Sequence, residues 1–271
     1  MKPSAFDYVR ADSTDEALAL LAEYGDDARI LAGGQSLVAM LNMRLLEPKV
    51  VIDITRVAEL VDVRIEDGRL VIGAAATQAV VEHRGTLAGE VPLLQQAFPH
   101  IGHFQTRNRG TVCGSLAHAD PSAELPLCLL LLNGDVVLRS RRRTRTVAAA
   151  DFLRGMLQTA REPDEMITTA RYPLQRPGAR YGFIEVAQRH GDFALVALAA
   201  AVDDKSIRLA VGGVGDMPQV AEWTGVAGDD LAAGLNEFAW RLDAQDDAHA
   251  SAVYRRHLVR TLGRQLVERL Q

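Results

Sequence analysis

The sequence predicts an α+β fold, and three observations support this prediction. A helix with a strong N-terminal signal precedes a strand–helix–strand pattern within residues 1–56. Alternating apolar and polar residues then flank Asp67–Gly68, a dipeptide typical of tight β-hairpins. The segment Gln175–Gly178, which contains proline and glycine, separates this region from further strand-like segments and an amphipathic tail. We therefore expect a first domain over residues 1–174 and a second over residues 178–271 of the 271-residue chain.

The first subdomain is expected over about residues 1–56 and begins with a capping box. Ser13 can cap a helix, and Glu16 lies three residues further on. Apolar residues recur at helical spacing after Ser13 until Gly25, which is expected to end the helix. The elements predicted next are a strand at Arg29–Leu31, a helix at Leu37–Leu45 and a strand at Lys49–Ile54.

The second subdomain is expected over residues 57–174, where hairpin and helix signals are mixed. Thr77 is a suitable N-cap for a helix to His83, and Pro92 suits the first turn of another helix. The other predicted elements are hairpin strands at Val61–Ile65 and Arg69–Gly73, helices at Leu93–Ile101 and Ala123–Leu132, and strands at Asp135–Leu138 and Thr168–Tyr172.

The second domain is predicted to contain a sheet followed by a helix. Strand-like segments occupy Tyr181–Gln188, Leu195–Val202 and Ile207–Val211, with a turn at Asp203–Lys205. The tail Asp246–Leu270 is predicted as an amphipathic helix. Its apolar positions are Val253, Leu258, Leu262, Leu266 and Leu270.

Composition and charge narrow the function class. Hydrophobic residues are 48% and charged residues 24%, as in an ordinary globular protein, and the net charge of −5 gives no field that would recruit nucleic acid or an anionic membrane. The basic run Arg139–Arg145 is interpreted as a solvated hairpin tip, with a docking patch for an acidic partner as the alternative. The N-terminus has no signal-like apolar segment, and the longest apolar stretch, Leu125–Leu132, is too short to span a bilayer. We therefore expect a cytoplasmic protein without membrane insertion.

The two cysteines, Cys113 and Cys128, are not arranged as a CxxC motif. This usage argues against an intrinsic iron–sulfur cluster, a structural zinc site or a disulfide framework, and it fits a reducing compartment. His100, His103 and His118 together with Cys113 resemble a set of metal ligands. Because no acidic ligand motif accompanies them, we interpret the histidines as structural residues and expect no metal site.

Two glycine turns carry the strongest functional signal. The first, Ala32–Ser36, follows a predicted strand, and the second, Arg109–Ser115, lies about one subdomain later. Glycine lets the backbone approach a phosphate closely, and consecutive N–H groups form an anion-binding concavity. Arg107 or Arg109 could add positive charge. Each turn alone is a weak signal, but together they predict a dinucleotide cofactor with its pyrophosphate clamped between them, and Gly34→Val is expected to abolish its retention by blocking the phosphate approach.

Other nucleotide motifs do not match. Gly213–Gly215 comes nearest to the dinucleotide fingerprint GxGxxG, but Pro218 occupies the third glycine position, so we interpret this segment as a turn. No GK[ST] motif of a P-loop occurs.

Asp120 and Glu124 are predicted to share one helical face. One of them could accept hydrogen bonds from sugar hydroxyls. The alternative is that both are only negative charges favoured by the dipole at a helix N-terminus. No general base stands out, so the chemistry is expected to belong to the cofactor.

The two glycine turns resemble those of the FAD-binding medium subunit of the molybdenum hydroxylases, a family that includes xanthine dehydrogenase, carbon monoxide dehydrogenase and N-heterocycle dehydrogenases. The resemblance covers nearly the whole chain. Its matching stretches are Leu31–Leu37, Arg107–Pro121, Gly191–Val196, Gly212–Gly215 and Tyr254–Leu258.

The resemblance implies both a fold and a role. The implied fold is a two-subdomain FAD-binding domain of the vanillyl-alcohol-oxidase/PCMH type, followed by a C-terminal domain of a small antiparallel sheet with helices. The implied role is electron transfer: non-covalent FAD takes electrons from iron–sulfur clusters on a small partner subunit and passes them to an external acceptor. A large molybdopterin subunit hydroxylates the substrate, and the complex is expected to be a dimer of heterotrimers. The substrate and the acceptor stay open.

The resemblance also implies FAD-binding positions. The two turns would hold the pyrophosphate and adenosine parts. Ala117, His118 and Glu124 would lie along the ribityl and adenine side. Met166 or Ile167 would contact the isoalloxazine or the adenine, and Phe193 would pack beside the flavin. In chain order these positions are Ala32, Gly33, Gly34, Gln35, Ser36, Leu37, Arg109, Gly110, Thr111, Gly114, Ser115, Ala117, His118, Glu124, Met166, Ile167 and Phe193. Two departures from the family pattern are Cys113 in place of a glycine and Phe193 in place of a tyrosine, which could alter the flavin potential.

Two alternatives remain at this point. A stand-alone flavin oxidase of the vanillyl-alcohol-oxidase type would need its own substrate pocket, a base and often a histidine bound covalently to flavin. The short second domain argues against it. A non-catalytic assembly protein for molybdenum enzymes is the other alternative.

Overall fold

Three parallel strands form the first sheet of the computed structural model, which describes residues 2–271. The strands lie in the order β1-β3-β2, and α1 and α2 connect β1 to β2 and β2 to β3. The bounds are β1 (Asp7–Arg10), α1 (Thr14–Tyr24), β2 (Ala28–Leu31), α2 (Leu37–Asn42) and β3 (Val50–Asp53). The predicted strand–helix–strand unit is confirmed, and β1 is an addition to it.

The capping box of α1 forms with one change. The Ser13 Oγ accepts a hydrogen bond from the Glu16 N–H at 3.2 Å, as predicted. The Glu16 carboxylate, however, accepts the N–H of Asp12 at 2.7 Å, one residue before the cap. Gly25 follows the helix with a positive φ of 51° and ends it.

A five-stranded antiparallel sheet occupies the middle of the chain. The strands of this region are β4 (Val63–Glu66), β5 (Arg69–Gly73), β6 (Asp135–Arg139), β7 (Thr144–Ala148), β8 (Leu153–Gly155), β9 (Gln158–Thr159) and β10 (Met166–Pro173). Strands β8 and β9 form a separate two-stranded ribbon, and the other five form the sheet. Their order in the sheet is β4-β5-β10-β6-β7. Asp67 and Gly68 both have positive φ, so the predicted hairpin closes with a type I′ turn.

Short helices connect β5 to β6. They are α3 (Gln78–Glu82), α4 (Leu87–Glu90), α5 (Pro92–Ala97), α6 (Phe104–Arg107), α7 (Val112–His118) and α8 (Glu124–Leu131), and α9 (Ala149–Phe152) follows β7. The Thr77 Oγ1 caps α3 by accepting the Val80 N–H, and Pro92 opens α5, both as predicted. Every residue of α8 is buried, because its apolar side chains surround the whole helix.

The basic run forms the predicted hairpin tip between β6 and β7. Arg139 pairs with Asp15, while Arg143 and Arg145 both pair with Glu165. Two carboxylates thus pair with three of the five arginines in the run, which favours the solvated-tip interpretation over a docking patch.

The last part of the chain is an antiparallel sheet covered by two helices. The sheet follows chain order, with β11 (Arg180–Ala187), β12 (Ala194–Val202), β13 (Ser206–Gly212) and β14 (Gln219–Thr224), and the helices are α10 (Gly228–Arg241) and α11 (Ala252–Leu270). Central strand β12 is buried on both faces. Its even-numbered residues from Val196 to Val202 join the apolar cluster of α10 and α11, while Ala197, Ala199 and Ala201 join the larger core that includes α8. Alanine on that face lets α8 pack closely against the strand.

The tail prediction needs two corrections. The helix begins at Ala252, capped by the Ser251 Oγ, and not at Asp246, because Asp247 accepts the N–H groups of His249 and Ala250 in a preceding turn. Val253 is exposed and does not belong to the apolar face. The domain boundaries at residues 174 and 178 stay a prediction. Within residues 2–271, no helix combines the length and apolar character needed to cross a bilayer.

Candidate functional site

The two glycine turns touch each other. The first turn follows β2, and the second precedes α7. A Cβ built on Gly33 would lie 2.6 Å from the Gly110 Cα and 2.9 Å from the Arg109 carbonyl carbon, with the Arg109 carbonyl oxygen nearer still. Only glycine allows this approach. The turns therefore form one surface.

Gly34 has a different role from the one that the sequence indicates. Its φ of +72° lies in the left-handed region, which favours glycine. A Cβ there would lie 3.0 Å from Leu31 Cδ1 and 3.2 Å from Val38 Cγ2, so it would meet apolar side chains. Gly34→Val would thus act by straining the turn, and the predicted mechanism of blocking a phosphate is corrected.

Backbone N–H groups of the first turn are available to a ligand. No acceptor within residues 2–271 takes a hydrogen bond from the N–H groups of residues 33 to 37, and the next N–H, that of Val38, bonds the Gly34 carbonyl to begin α2. The only side-chain bond within the turn runs from the Gln35 amide to the Gly33 carbonyl, at 3.1 Å, in the part of the chain that the structure describes. Consecutive N–H groups of this kind form a concavity suited to an anion.

The second turn is held firmly by its neighbours. The Thr111 Oγ1 accepts the Gly114 N–H at 2.9 Å and caps α7, while the Gly110 carbonyl accepts the Gln78 N–H at 2.8 Å. Gln78 itself is buried, and its side-chain Oε1 has no hydrogen-bond partner among the described residues. Leaving a buried acceptor unpaired costs about 1–3 kcal/mol. Because Gln78 also lines the cavity described next, a ligand N–H or O–H can satisfy it.

A cavity of about 630 Å³ extends from the two turns. This is a typical size for a small-molecule or cofactor site. All but one of the predicted positions line it: Ala32, Gly33, Gly34, Gln35, Ser36, Leu37, Gly110, Thr111, Gly114, Ser115, Ala117, His118, Glu124, Met166, Ile167 and Phe193. The exception is Arg109, whose side chain is exposed and whose carbonyl packs on Gly33.

Two arginines that the sequence did not single out give the cavity positive charge. Arg29 on β2 and Arg161 after β9 both line it. Burial, together with the nearby Arg29 charge, lowers the pKa of Arg161. Arg161 Nη1 donates to the carbonyls of Glu162 and Glu165, both at 2.9 Å. The two guanidinium groups favour an anionic ligand beside them, while the Asp120, Glu165 and Asp192 side chains also line the cavity and partly offset their charge.

The proposed shared helical face of Asp120 and Glu124 is wrong. Asp120 lies in the turn before α8 and accepts the Ser122 N–H, whereas Glu124 is the first residue of α8. Both line the cavity. Burial, with a smaller contribution from Glu185, raises the pKa of Glu124 to about 8. At neutral pH it is therefore mainly a carboxylic acid, which can donate as well as accept a hydrogen bond.

Glu124→Gln is expected to change how stability depends on pH. The folded-state pKa of about 8 exceeds that of an unfolded glutamate, about 4.3, so the folded chain retains a proton that the unfolded chain releases. The stabilisation from this group is complete below about pH 4 and is lost as the pH rises toward 8. Urea denaturation of the cofactor-free chain over this window should show a flatter profile for the variant. Glu268→Gln, at an exposed pair, serves as the control; equal slopes in all three proteins would contradict the prediction.

The histidines and cysteines of the sequence do not converge. No group of three or more His, Cys, Asp or Glu side chains within residues 2–271 is arranged to hold a metal ion. His118 lines the cavity, whereas the His100 Nδ1 lies 3.2 Å from a Glu185 oxygen outside it. Both cysteines are buried. The Gly213–Gly215 segment forms a bend before β14, as predicted.

The comparisons with known proteins agree with this geometry. Residues 4–175 match the family model described as FAD binding domain in molybdopterin dehydrogenase. The 6-hydroxypseudooxynicotine dehydrogenase complex subunit alpha of Paenarthrobacter nicotinovorans is 38% identical, over 97% of this chain and 93% of that one. Two solved structures are similar over 100% of this chain and 98% of theirs. A carbon monoxide dehydrogenase from Hydrogenophaga pseudoflava that lacks the Mo-pyranopterin moiety of its molybdenum cofactor has a TM-score of 0.95 at 29% identity. Quinoline 2-oxidoreductase from Pseudomonas putida 86 has a TM-score of 0.93 at 33% identity.

Proposed function

This chain belongs to the family of FAD-binding domains of molybdopterin dehydrogenases, and we propose that it is the electron-transferring medium subunit of such an enzyme. In this role it takes electrons from iron–sulfur clusters on a small partner subunit and delivers them to an external acceptor. A large molybdopterin subunit carries out substrate hydroxylation. FAD supplies the redox chemistry, since flavins carry both one- and two-electron transfers.

The observation that carries this proposal is the contact between the two glycine turns. Residues 33 to 37, whose N–H groups are available, line the cavity beside this contact. These donors suit the pyrophosphate of FAD. Arg29 and Arg161 add positive charge to the same cavity.

Other cavity residues suit the remaining parts of FAD. The unpaired Gln78 Oε1 can accept a hydrogen bond, and the protonated Glu124 carboxyl can donate one to a hydroxyl or ring atom. Met166 and Ile167 are buried and give an apolar wall for a ring system. Phe193 also lines the cavity but is 63% exposed, so its ring can cover a ligand at the rim.

The cysteines support the placement of the iron–sulfur clusters on another chain. Burial raises the pKa of the Cys113 thiol to about 12 and that of Cys128 well above its ordinary value. Cluster ligation requires thiolates, which these buried thiols do not favour.

Exposed apolar side chains on and after α2 give a surface suited to a partner subunit: Val38, Met43 and Leu45. A dimer of heterotrimers is the assembly that we propose.

The test is flavin content. Purified chain should carry flavin absorbance, and mild denaturation should release all of it as intact FAD, because the site holds FAD through hydrogen bonds and packing alone. Chromatography of the released flavin identifies FAD and separates it from FMN. A chain that stays colourless after reconstitution with FAD would contradict the proposal. Flavin that remains attached to the denatured chain would instead favour the stand-alone oxidase.

A further inference from the structure

Three ionisable side chains connect the cavity wall to the protein surface. Glu124 lines the cavity and is only 5% exposed. Glu185, on β11, has a side chain that is 4% exposed. His100 ends the short 3-10 turn Phe98–His100 after α5, and its side chain is 34% exposed. Neither Glu185 nor His100 is needed to hold FAD in the site described above.

The contacts of Glu185 are asymmetric. Its Oε1 lies 3.2 Å from the His100 Nδ1. Its Oε2 is buried and has no hydrogen-bond partner within residues 2–271. A buried carboxylate oxygen without a partner is costly, and its presence in a folded protein calls for a structural or functional explanation. Glu185 therefore has one oxygen paired toward the surface and one available inside the protein.

This arrangement lies at the Phe193 end of the cavity. The His190 ring lies 6.4 Å from the His100 ring, edge to face. The adjacent Gly191 packs on the turn after His100, because a Cβ there would lie only 2.8 Å from the Gly102 carbonyl oxygen. Gly102, Gly191 and Phe193 all line the cavity. Under the proposed function, this is where the flavin ring lies.

The charges of these groups are coupled. The contact with Glu185 raises the pKa of His100, although burial opposes it. Burial raises the pKa of Glu124, with Glu185 and Asp120 adding to the effect and His100 opposing it. Other titratable groups near the three are Cys128 on α8, whose raised pKa reflects burial and the same two glutamates, and His190 beside His100. The charge of Glu185 therefore influences the proton affinity of both His100 and Glu124.

We propose that His100, Glu185 and Glu124 form a proton-exchange path between solvent and the cavity. The inference rests on the proposed function, because flavin reduction by two electrons is accompanied by proton uptake. The path serves that uptake and the reverse release on reoxidation.

The transfer steps balance in protons. Glu124 donates its proton into the cavity and becomes a carboxylate. His100 takes a proton from solvent and passes one from Nδ1 across 3.2 Å to the Glu185 Oε1, and it recovers its original tautomer by proton exchange with solvent. Rotation of the protonated Glu185 carboxyl turns that oxygen inward, and the proton then passes to Glu124. No hydrogen bond joins these two described glutamates directly, so the second step uses a bridging water or a rotation of the Glu124 side chain. The three side chains end in their starting states, and one solvent proton has moved inward.

The test compares proton uptake with flavin reduction. FAD-loaded wild type, Glu185→Gln, Glu124→Gln and the control Glu268→Gln are reduced with dithionite, which supplies the electrons, in weak buffer containing a pH-indicator dye. Flavin absorbance reports reduction, and the dye reports proton uptake. In wild type and control, uptake should keep pace with reduction. In the two path variants it should lag by about 10-fold or more, as expected when a positioned acid–base group is lost.

A second measurement needs no flavin. The pKa of His100, followed by NMR titration of the ring proton, should fall in Glu185→Gln because its partner charge is lost. His100→Gln, which removes the surface member, should also slow uptake and identifies the His100 resonance.

The outcomes separate the two proposals. Wild type that retains no FAD would overturn the proposed function and this inference with it. FAD-loaded path variants with unimpaired proton uptake would overturn the inference alone, and so would an unchanged His100 pKa in Glu185→Gln.

Discussion

Gly33→Ala is expected to abolish FAD retention and to lower the melting temperature. The new methyl group would meet the backbone of the second turn, 2.6 Å from the Gly110 Cα. Backbone atoms cannot rotate away as a side chain does, so the turns must separate. Overpacking of this kind costs about 1–3 kcal/mol. The separation also displaces the N–H groups of residues 33 to 37 that we assign to the pyrophosphate.

The measurements are FAD per chain after gel filtration and the melting temperature of the cofactor-free chain. Gly85→Ala is a matched control, since a Cβ there meets nothing within 4 Å. It should keep both wild-type values. Full FAD content in Gly33→Ala would show that the contact between the turns does not shape the site.

The comparison of Gly33 with Gly34 shows what a sequence motif can and cannot predict. The sequence identifies both glycines as parts of an anion-binding turn. It does not reveal that Gly33 faces the second turn while Gly34 adopts a left-handed φ beneath Val38. The role of Gly33 depends on packing against Arg109 and Gly110, more than seventy positions away, whereas that of Gly34 depends on the local backbone conformation beside Leu31 and Val38. The sequence motif does not distinguish the two.

Most helices and strands could be predicted because each has a recognisable local sequence pattern. The Asp67–Gly68 turn, the Thr77 cap and the apolar helix α8 are examples. Strand β1 was not predicted, since its residues are mostly exposed and show no alternation. Helix α10 does have a local pattern, because its buried residues recur at helical spacing: Leu231, Leu235, Phe238 and Ala239.

The cavity was predicted less completely than the fold. The glycine turns and Glu124 have recognisable surroundings in the sequence, whereas Gln78 and Arg161 stand in short segments without a motif. Arg161 reaches the cavity because its guanidinium bonds the carbonyls of Glu162 and Glu165. The sequence cannot show that the Gln78 Oε1 lacks a hydrogen-bond partner, because this requires the positions of all neighbouring donors within residues 2–271.

Arg255→Met is expected to cause a large loss of stability. Arg255, on α11, is 5% exposed. Its Nη1 donates to the carbonyls of Leu195 and Gly213, both at 2.6 Å, and its Nη2 donates to the Asp247 carboxylate at 2.5 Å. Methionine preserves much of the side-chain volume but leaves these acceptors unpaired. The hydrogen bonds from the charged guanidinium to the two carbonyls contribute about 1.5–3 kcal/mol each. The Asp247 side chain is 48% exposed, so its ion pair adds less.

The loss should also reach the cofactor site. Leu195 is the second residue of β12, the strand that follows Phe193. Gly213 packs against the Ala194 carbonyl, because a Cβ there would lie 2.8 Å from that oxygen. Without Arg255 the start of β12 loses its link to α11, so the Phe193 loop should loosen. We expect weaker FAD retention in Arg255→Met, at a temperature where the variant is still folded.

Arg264→Met provides the comparison on the same helix. Arg264 also forms an ion pair, with Glu268 at 2.7 Å, but both side chains are about half exposed. An exposed pair of this spacing contributes about 0.3–0.5 kcal/mol. Urea denaturation should therefore separate the two variants widely, although each loses one arginine and one ion pair. Similar losses of stability in both variants would show that the buried Arg255 and its hydrogen bonds to the two carbonyls do not stabilise this end of the fold. A large loss confined to Arg255→Met would identify the guanidinium as the link between α11 and the rim of the FAD site.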